Sequence, residues 1–117
     1  MRIGELAIRT GVSARSLRHY ESLGLLDPSR GAQGYREYSE ADVARVAAIR
    51  SLMDSGIALS VIVGLMGCVD GSQVKPCPKV LDAYRQHLAR VDAAIGRLSQ
   101  TRRVLEDVLS QHGQQSG

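Results

Sequence analysis

Residues 13–38 read SARSLRHYESLGLLDPSRGAQGYREY, and they decide the fold of this 117-residue chain. Ser13 carries the short oxygen side chain that is favoured at a helix N-cap, where it accepts from an otherwise unpaired backbone N–H. Gly11 lies shortly before it and suits a tight turn. A helix is therefore predicted over about 14–23, with Leu17 on its core side.

The segment after this helix is predicted to leave the helical conformation. Gly24 is typical of the residue that follows a helix. Residues 27–34 are rich in Pro, Ser and Gly, which indicates a turn region. A short strand is expected at 35–38, where Tyr35 and Arg36 point to opposite faces. This order favours a β-wing beside the helix, with an ordinary β-hairpin as the alternative.

A first helix is predicted upstream, over about 3–9, because Ile3, Leu6 and Ala7 recur at helical spacing. Its apolar side can pack on Leu17 of the second helix. Two short helices joined by a short turn that contains glycine are the signature of a helix-turn-helix. The sequence thus predicts a DNA-binding motif in its first part.

This segment resembles the MerR family of bacterial transcription regulators. Arg18, Tyr20 and the run Glu21 to Leu26 match the recognition-helix pattern of that family, and Gly34-Tyr35-Arg36-x-Tyr38 matches its wing. The resemblance covers the chain from its first residue to about residue 110. It implies a mainly α protein with a winged helix-turn-helix DNA-binding domain and a short β-wing, followed by a long coiled-coil dimerisation helix.

In this family the recognition helix lies in the major groove of DNA and the wing holds the flanking phosphate backbone. The resemblance places Tyr35 and Arg36 in the wing by position, with Arg30 beside them. An arginine on the helix can bind a phosphate, or the O6/N7 edge of guanine through two hydrogen bonds. The candidate DNA-binding residues are Arg15, Ser16, Arg18, Tyr20, Arg30, Tyr35 and Arg36.

Two more helices are expected in the DNA-binding domain. Ser39 and Asp42 resemble a capping box at the start of a helix over about 40–54. The next segment, 57–66, contains a β-branched run that in isolation could form a buried strand. The resemblance favours a short helix there. The buried residues predicted for the helix at 40–54 are Val43, Val46, Ala47 and Met53.

The clearest periodicity lies in the second half of the chain. Apolar residues alternate by three and four positions over about four heptads, which is typical of a coiled coil. A helix over about 79–110 would be roughly 48 Å long, too long to bury this stripe on the first domain alone. The alternative is an amphipathic helix folded back on its own domain. The resemblance implies antiparallel pairing in a homodimer. The apolar seam consists of Leu81, Tyr84, Leu88, Val91, Ile95, Leu98, Leu105 and Leu109, interrupted by Arg102.

These predictions divide the chain into a DNA-binding domain at 1–70, a connector at 71–78, the dimerisation helix at 79–110 and a polar, disordered tail at 111–117. The net charge of +3 is mild, so the argument for DNA depends on where the arginines lie. No apolar run approaches the roughly 18 residues of a membrane span. We expect a cytoplasmic, nucleoid-associated protein with no signal peptide and no membrane partner.

Two cysteines, Cys68 and Cys77, lie at opposite ends of the stretch GCVDGSQVKPCP, where the DNA-binding domain meets the long helix. In metal sensors of the family, a Cys or Ser at the position of Cys77 lies beside a metal loop that follows the same helix in the partner. No Cys follows residue 77 here, so we expect no metal and no other cofactor. Three hypotheses remain. The thiols are free and reduced; or Cys77 is a reactive thiol with Cys68 as its resolving partner; or both line a site for a small organic ligand.

The sequence predicts a regulator rather than an enzyme, because it has neither a close Cys-x-x-Cys pair nor a Ser/His/Asp array. The resemblance implies a homodimer that binds a palindromic site in double-stranded promoter DNA, distorts it, and reaches RNA polymerase indirectly through the DNA. Its effector would be thiol-reactive or a small organic molecule. The alternative is an architectural, excisionase-like DNA-binding protein without an effector.

Overall fold

The computed structural model describes residues 1–31 and 33–113, which divide into two units, the first ending at Ala83 and the second beginning at Tyr84. Each strand is two residues long, and the two hairpins that the strands form are antiparallel. The elements are α1 Ile3–Thr10, α2 Ala14–Ser22, β1 Ser29–Arg30, β2 Arg36–Glu37, α3 Glu40–Asp54, α4 Leu59–Ile62, a 3₁₀ helix Val63–Cys68, β3 Val69–Asp70, β4 Gln73–Val74 and α5 Pro78–His112.

Both ends of α2 are capped as the sequence predicts. The Ser13 side chain accepts a hydrogen bond from the backbone N–H of Ser16 at 3.1 Å. At the other end, Gly24 has φ +78°, and its N–H donates to the Glu21 carbonyl. The N–H of Leu25 donates to the Tyr20 carbonyl at 2.9 Å, which completes a Schellman motif.

The core of the first unit lies where α1, α2 and α3 meet. Leu6, Leu17 and Ile49 are fully buried, one from each helix. The first turn of α5 adds Val80, which is 1 % exposed. Both predicted helices of the helix-turn-helix therefore contribute to one core. The other buried apolar residues are Val12, Tyr20, Leu25, Leu26, Tyr38, Val46, Ala48, Leu52, Ile57, Ile62, Leu65 and Cys68.

Helix α3 has the predicted bounds, but its buried face differs from the prediction. The Asp42 carboxylate accepts from the Ser39 N–H at 2.8 Å, as the capping-box pattern requires. Val46 is buried and Val43 is half-buried, whereas Ala47 and Met53 are exposed. Apolar residues occur on nearly every side of this helix, so periodicity alone does not select the core face. The residues missed by the prediction are Ala48, Ile49 and Leu52.

The ambiguous segment 57–66 is helical from Leu59 onward, as the resemblance favoured, and it forms α4 and most of the 3₁₀ helix. Ala58 precedes α4 without a side-chain cap. Strand β1 lies inside the region predicted to be a turn, where it pairs Arg30 with Arg36. The β3–β4 hairpin lies in the segment 69–74 and was not predicted. Two-residue strands are too short to show an alternating pattern.

Helix α5 runs from Pro78 to His112, one residue earlier and two residues later than the predicted helix. At 35 residues it is about 52 Å long. The helix therefore includes the first two residues of the predicted tail, and residues 114–117 of that tail lie outside the described residues. Within the described ranges, no helix combines the length and apolarity needed to cross a membrane.

Candidate nucleic-acid interface

A shallow basic groove lies between α2 and the β1–β2 hairpin. It encloses about 290 Å³, and four guanidinium groups face a single carboxylate, that of Glu21. This excess of positive charge favours an anion such as a phosphate. The residues that line the groove are Arg2, Ile3, Arg18, Glu21, Arg30, Gly34, Tyr35, Arg36 and Tyr38.

Glu21 links the helix to the hairpin. Its carboxylate accepts from Nε of Arg36 at 2.8 Å. The Glu21 side chain is only 18 % exposed, whereas that of Arg36 is 56 % exposed. Since a guanidinium has five N–H donors, this contact leaves the terminal nitrogens of Arg36 available to a second acceptor. The ion pair thus positions Arg36 without consuming its capacity to bind a phosphate.

Two further contacts shape the tip of the hairpin. Nη1 of Arg30 donates to the carbonyl oxygen of Gly34 at 3.0 Å, across the loop. The guanidinium of Arg2 lies 3.9 Å from the centroid of the Tyr35 ring, a cation–π contact. Sequence reasoning did not identify Arg2, because no local pattern shows that the start of the chain reaches the wing. Arg2 extends the basic surface beyond the predicted residues.

The base of the hairpin is held by the first residue of the chain. The Met1 nitrogen donates to the Tyr38 carbonyl at 2.7 Å, and the Tyr38 N–H donates to the Met1 carbonyl at 2.7 Å. The Tyr38 side chain is buried. Burial raises the pKa of its phenol, and the negative charge of Glu21 raises it further. The wing is therefore anchored to the core at one end and to α2 through Glu21.

The predicted residues of α2 divide into two groups. Arg15 and Arg18 are exposed and, among the described residues, form no ion pair. Ser16 is half-buried, and its hydroxyl accepts from the Ser13 hydroxyl at 3.1 Å, so it is part of the N-cap. Tyr20 was predicted to bind DNA, but the structure buries it at 4 % exposure. Its hydroxyl lies 3.5 Å from Sδ of Met53, so Tyr20 packs in the core and is not available to DNA.

The predicted seam of α5 is largely in contact with solvent. Leu88 and Ile95 are 59 % and 56 % exposed, whereas Leu81 near the start of the helix is half-buried. Val104 and Val108 are also exposed and widen the apolar surface near the end of α5. The heptad pattern did not include them because they fall outside its two apolar positions.

The sulfur atoms of Cys68 and Cys77 form a disulfide, with Cα atoms 6.0 Å apart. The hypothesis of two free thiols is therefore wrong for this structure. The structure does bring the two residues together, as the hypothesis of a reactive thiol and a resolving partner requires. Among the described residues, no group of three or more His, Cys, Asp or Glu side chains could hold a metal ion.

A helix-turn-helix with exposed arginines on its second helix, beside a β-wing that carries two more, defines the class of winged helix-turn-helix DNA-binding proteins. Comparison with known proteins specifies the family. Residues 1–67 match the model of the MerR HTH family regulatory proteins, and residues 43–108 match that of the MerR DNA-binding region. The chain belongs to the MerR family and is a DNA-binding transcriptional regulator.

The chain is similar to curated regulators across most of its length. A mercuric resistance operon regulatory protein of Bacillus cereus is 36 % identical over 92 % of this chain and 81 % of its own length. The HTH-type transcriptional regulator HmrR of Rhizobium leguminosarum bv. viciae is 29 % identical over 93 % and 84 %. These relatives are regulators, in agreement with the prediction that this chain is not an enzyme. They offer no support for the architectural alternative.

Solved structures show the same fold. A MerR-family transcriptional regulator from Bacillus cereus superposes with a TM-score of 0.69 at 22 % identity, over 97 % of this chain and 82 % of its own. A MerR-family protein from Listeria monocytogenes gives 0.64 at 20 % identity, over 99 % and 95 %. At these identities the likeness concerns the fold alone.

Proposed function

We propose that this regulator acts as a homodimer on a palindromic promoter site. The observation that carries the proposal is the exposed apolar seam of α5, which a monomer would leave in water. Ile95, Leu98 and Leu105 are each more than half exposed. Burying such a stripe against the same stripe of a second copy is strongly favourable, and a heptad repeat favours helix pairing. Antiparallel pairing would place one arginine-lined groove at each end of the coiled coil.

Two grooves related by a twofold axis match two half-sites of a palindrome. A rigid dimer can bind both half-sites only when their spacing and relative rotation fit the protein. If the DNA must bend or untwist to comply, the deformability of the central base pairs contributes to specificity. The protein would then affect RNA polymerase indirectly, by changing the shape of the promoter. It would do so in the cytoplasm, where the chromosome is accessible.

The effector is proposed to be thiol-reactive rather than a metal or a small organic molecule. The names of two relatives refer to mercuric resistance and to heavy-metal dependence, which are properties of those proteins. Here the described residues contain no group of three or more His, Cys, Asp or Glu side chains that could hold a metal ion, whereas Cys68 and Cys77, which precede α5, form a disulfide. We therefore expect the effector to react with the sulfur atoms of these cysteines.

A selection of DNA sites from a random pool by the full chain, followed by sedimentation of the complex, tests the proposal. The expected result is a palindromic consensus bound by two protomers, with affinity lost when the spacing between half-sites changes. Binding of one protomer to a single half-site with full affinity would contradict the dimer. Binding without sequence preference would instead favour an architectural role.

A further inference from the structure

The Cys68–Cys77 disulfide joins two different parts of the first unit. Cys68 ends the 3₁₀ helix and is 8 % exposed, in the core. Cys77 directly precedes α5, and its carbonyl accepts from the N–H of Leu81 in the first turn of that helix at 3.0 Å. The covalent bond therefore ties the first turn of α5 to the core of the DNA-binding unit.

The other links between these two points are noncovalent. The intervening β3–β4 hairpin has strands of two residues, too short to be stable alone, and it packs on α3, with Val74 against the core. The N–H of Lys75 donates to the Cys68 carbonyl at 2.8 Å, and an exposed ion pair joins Lys75 to Asp70 at 3.4 Å. Exposed ion pairs contribute little. Besides the disulfide, the start of α5 is held by burial of Val80 and by Ala83, which packs against the same core.

We propose that the Cys68–Cys77 pair is a thiol–disulfide exchange site, which takes low-molecular-weight disulfides and thiols and sets how firmly the start of α5 is attached to the DNA-binding unit. The inference rests on the proposed function, in which α5 is the dimerisation helix. If α5 joins two DNA-binding units, the freedom at its first turn decides how accurately both grooves meet their half-sites. In the oxidised form, the disulfide restrains the first turn of α5 against the DNA-binding unit.

The two cysteines differ in burial and in their place in the fold, and these differences assign their roles in the exchange. Cys77 is half-buried, whereas Cys68 is buried, so Cys77 is the more accessible of the two cysteines. Cys77 also lies at the N-terminus of a 35-residue helix, where the helix dipole favours a thiolate, and Lys75 and Lys79 are close in sequence. Cys77 is therefore the attacking thiol and Cys68 the resolving one.

The exchange balances without any other reagent. In the reduced protein, the Cys77 thiolate attacks a small disulfide, forms a mixed disulfide and releases one small thiolate, which takes up the proton lost from Cys77. The Cys68 thiolate then attacks the sulfur of Cys77, forms the intramolecular bond and releases the second small thiol. The protein dithiol is oxidised by two electrons and the small disulfide is reduced to two thiols. Excess small thiol reverses both steps.

The test compares oxidised and reduced full-length protein on the duplex recovered by site selection. Glutathione disulfide and dithiothreitol prepare the two states, and mass spectrometry verifies the loss or gain of two hydrogens. Fluorescence anisotropy should show affinities that differ by about fivefold or more, a typical allosteric coupling. Titration with glutathione buffers should convert one state into the other at redox potentials within the range of the cellular glutathione pool.

Variants separate the sulfur chemistry from other effects of the reagents. Cys77→Ser, Cys68→Ser and the double variant should each bind the duplex like reduced wild type and no longer respond to glutathione disulfide by a change in affinity. Cys77→Ser should also be labelled more slowly by a small electrophile than Cys68→Ser. If a variant does not fold, the comparison of oxidised and reduced wild type still shows whether the disulfide changes DNA affinity.

Equal affinity of the two wild-type states would overturn the inference, as would a pair that stays fully oxidised in every glutathione buffer. A protein that binds no selected duplex in either state would instead refute the proposed function. The glutathione titration does not depend on DNA, so the two failures are distinguishable.

Discussion

At the scale of single residues, the basic groove is organised by one carboxylate. Glu21 on α2 holds Arg36 of β2 at 2.8 Å, while Arg18 and Arg30 line the same groove. An unpaired cluster of arginines would repel itself, so Glu21 lowers that repulsion and fixes one guanidinium in place. We expect Arg18 to contact a base or a phosphate, and Arg36 to bind the phosphate backbone beside it.

Replacing these arginines tests the assigned DNA surface. Arg18→Ala and Arg36→Ala should each weaken binding to the selected duplex by about 1–3 kcal/mol, because each removes a multiply hydrogen-bonded contact. Arg36→Ala should also lower the slope of affinity against salt concentration by about one, as expected for a lost phosphate contact. Anisotropy titrations at several salt concentrations measure both effects.

Arg50→Ala is the matched control, since it removes the same charge from an exposed position of α3 in a different surface groove. Its affinity should stay close to that of the wild type. Unchanged affinity in both Arg18→Ala and Arg36→Ala would place the DNA on another face of the protein.

Tyr38 makes the free energy of unfolding depend on pH in the alkaline range. Burial raises the pKa of its phenol above the ordinary value of 10.0, so the unfolded chain ionises this side chain at lower pH than the folded protein. The stability that this group supports is complete below about pH 10 and is lost as the pH rises through the folded pKa. Tyr38→Phe should therefore flatten the fall in unfolding free energy in this range, as measured by urea denaturation.

Tyr35→Phe serves as the control, because that ring is 52 % exposed. It should keep the alkaline dependence of the wild type. If Tyr38→Phe lost stability with rising pH as steeply as the wild type, ionisation elsewhere would be responsible.

At the scale of elements, the end of α2 shows how a short signal sets the geometry of the site. Gly24 has φ +78°, which turns the chain out of the helix and toward the wing. Two backbone hydrogen bonds close the turn, from Gly24 to Glu21 and from Leu25 to Tyr20. Leu25 and Leu26 then pack in the core. The position of the wing relative to α2 thus depends on one left-handed residue.

Gly24→Ala should destabilise the protein by about 1–2 kcal/mol, because a side chain in the left-handed region crowds the backbone. Among the described residues, no atom outside the turn lies within 4 Å of the added Cβ, so the loss would be conformational rather than a clash. Thermal or urea denaturation measures it.

Gly4→Ala is the matched comparison within α1. Its φ is not positive and an added Cβ meets nothing within 4 Å, so this variant should gain about 0.5–1 kcal/mol. Equal stability of the two variants would show that the backbone conformation at Gly24 carries no penalty.

At the scale of the whole molecule, the exposed apolar seam of α5 supports the proposed pairing with a second helix. Apolar residues on the two heptad positions of α5 are exposed over most of its length. Arg102 occupies one of these positions and pairs with Glu106 at 3.4 Å on the same helix. A single polar residue in a seam lowers stability but helps to select register. The apolar face is therefore suited to one specific pairing.

Leu88→Asp and Ile95→Asp should each convert the dimer to monomers and abolish binding to the palindrome. A carboxylate in the seam must lose its water in the paired helix, and separation of the helices avoids that cost. Sedimentation velocity reports the mass, and anisotropy reports DNA binding. Gln100→Asp adds the same charge on the opposite side of α5 and should remain dimeric. Dimers of normal stability in both seam variants would mean that the helices pair through another surface.

The sequence by itself determined the local structure of this protein. The N-cap at Ser13, the left-handed Gly24, the bounds of α3 and the helical conformation of α5 all depend on interactions within a few residues of the chain. Such interactions leave a pattern in the sequence. The order of helix, turn region and short strand predicted a wing after α2. The resemblance then placed the basic residues of that wing by their positions.

Only the tertiary structure decided which side chains face the core and which distant residues meet. Tyr20 and Tyr38 are buried and Tyr35 is exposed, although all three fit the same family pattern. The contact of Arg2 with Tyr35 joins residues with no local pattern between them, and the bond between Cys68 and Cys77 forms a pair that the sequence offered only as one of three hypotheses. Their proximity results from packing of the whole unit, because burial and distance depend on every element that surrounds a residue.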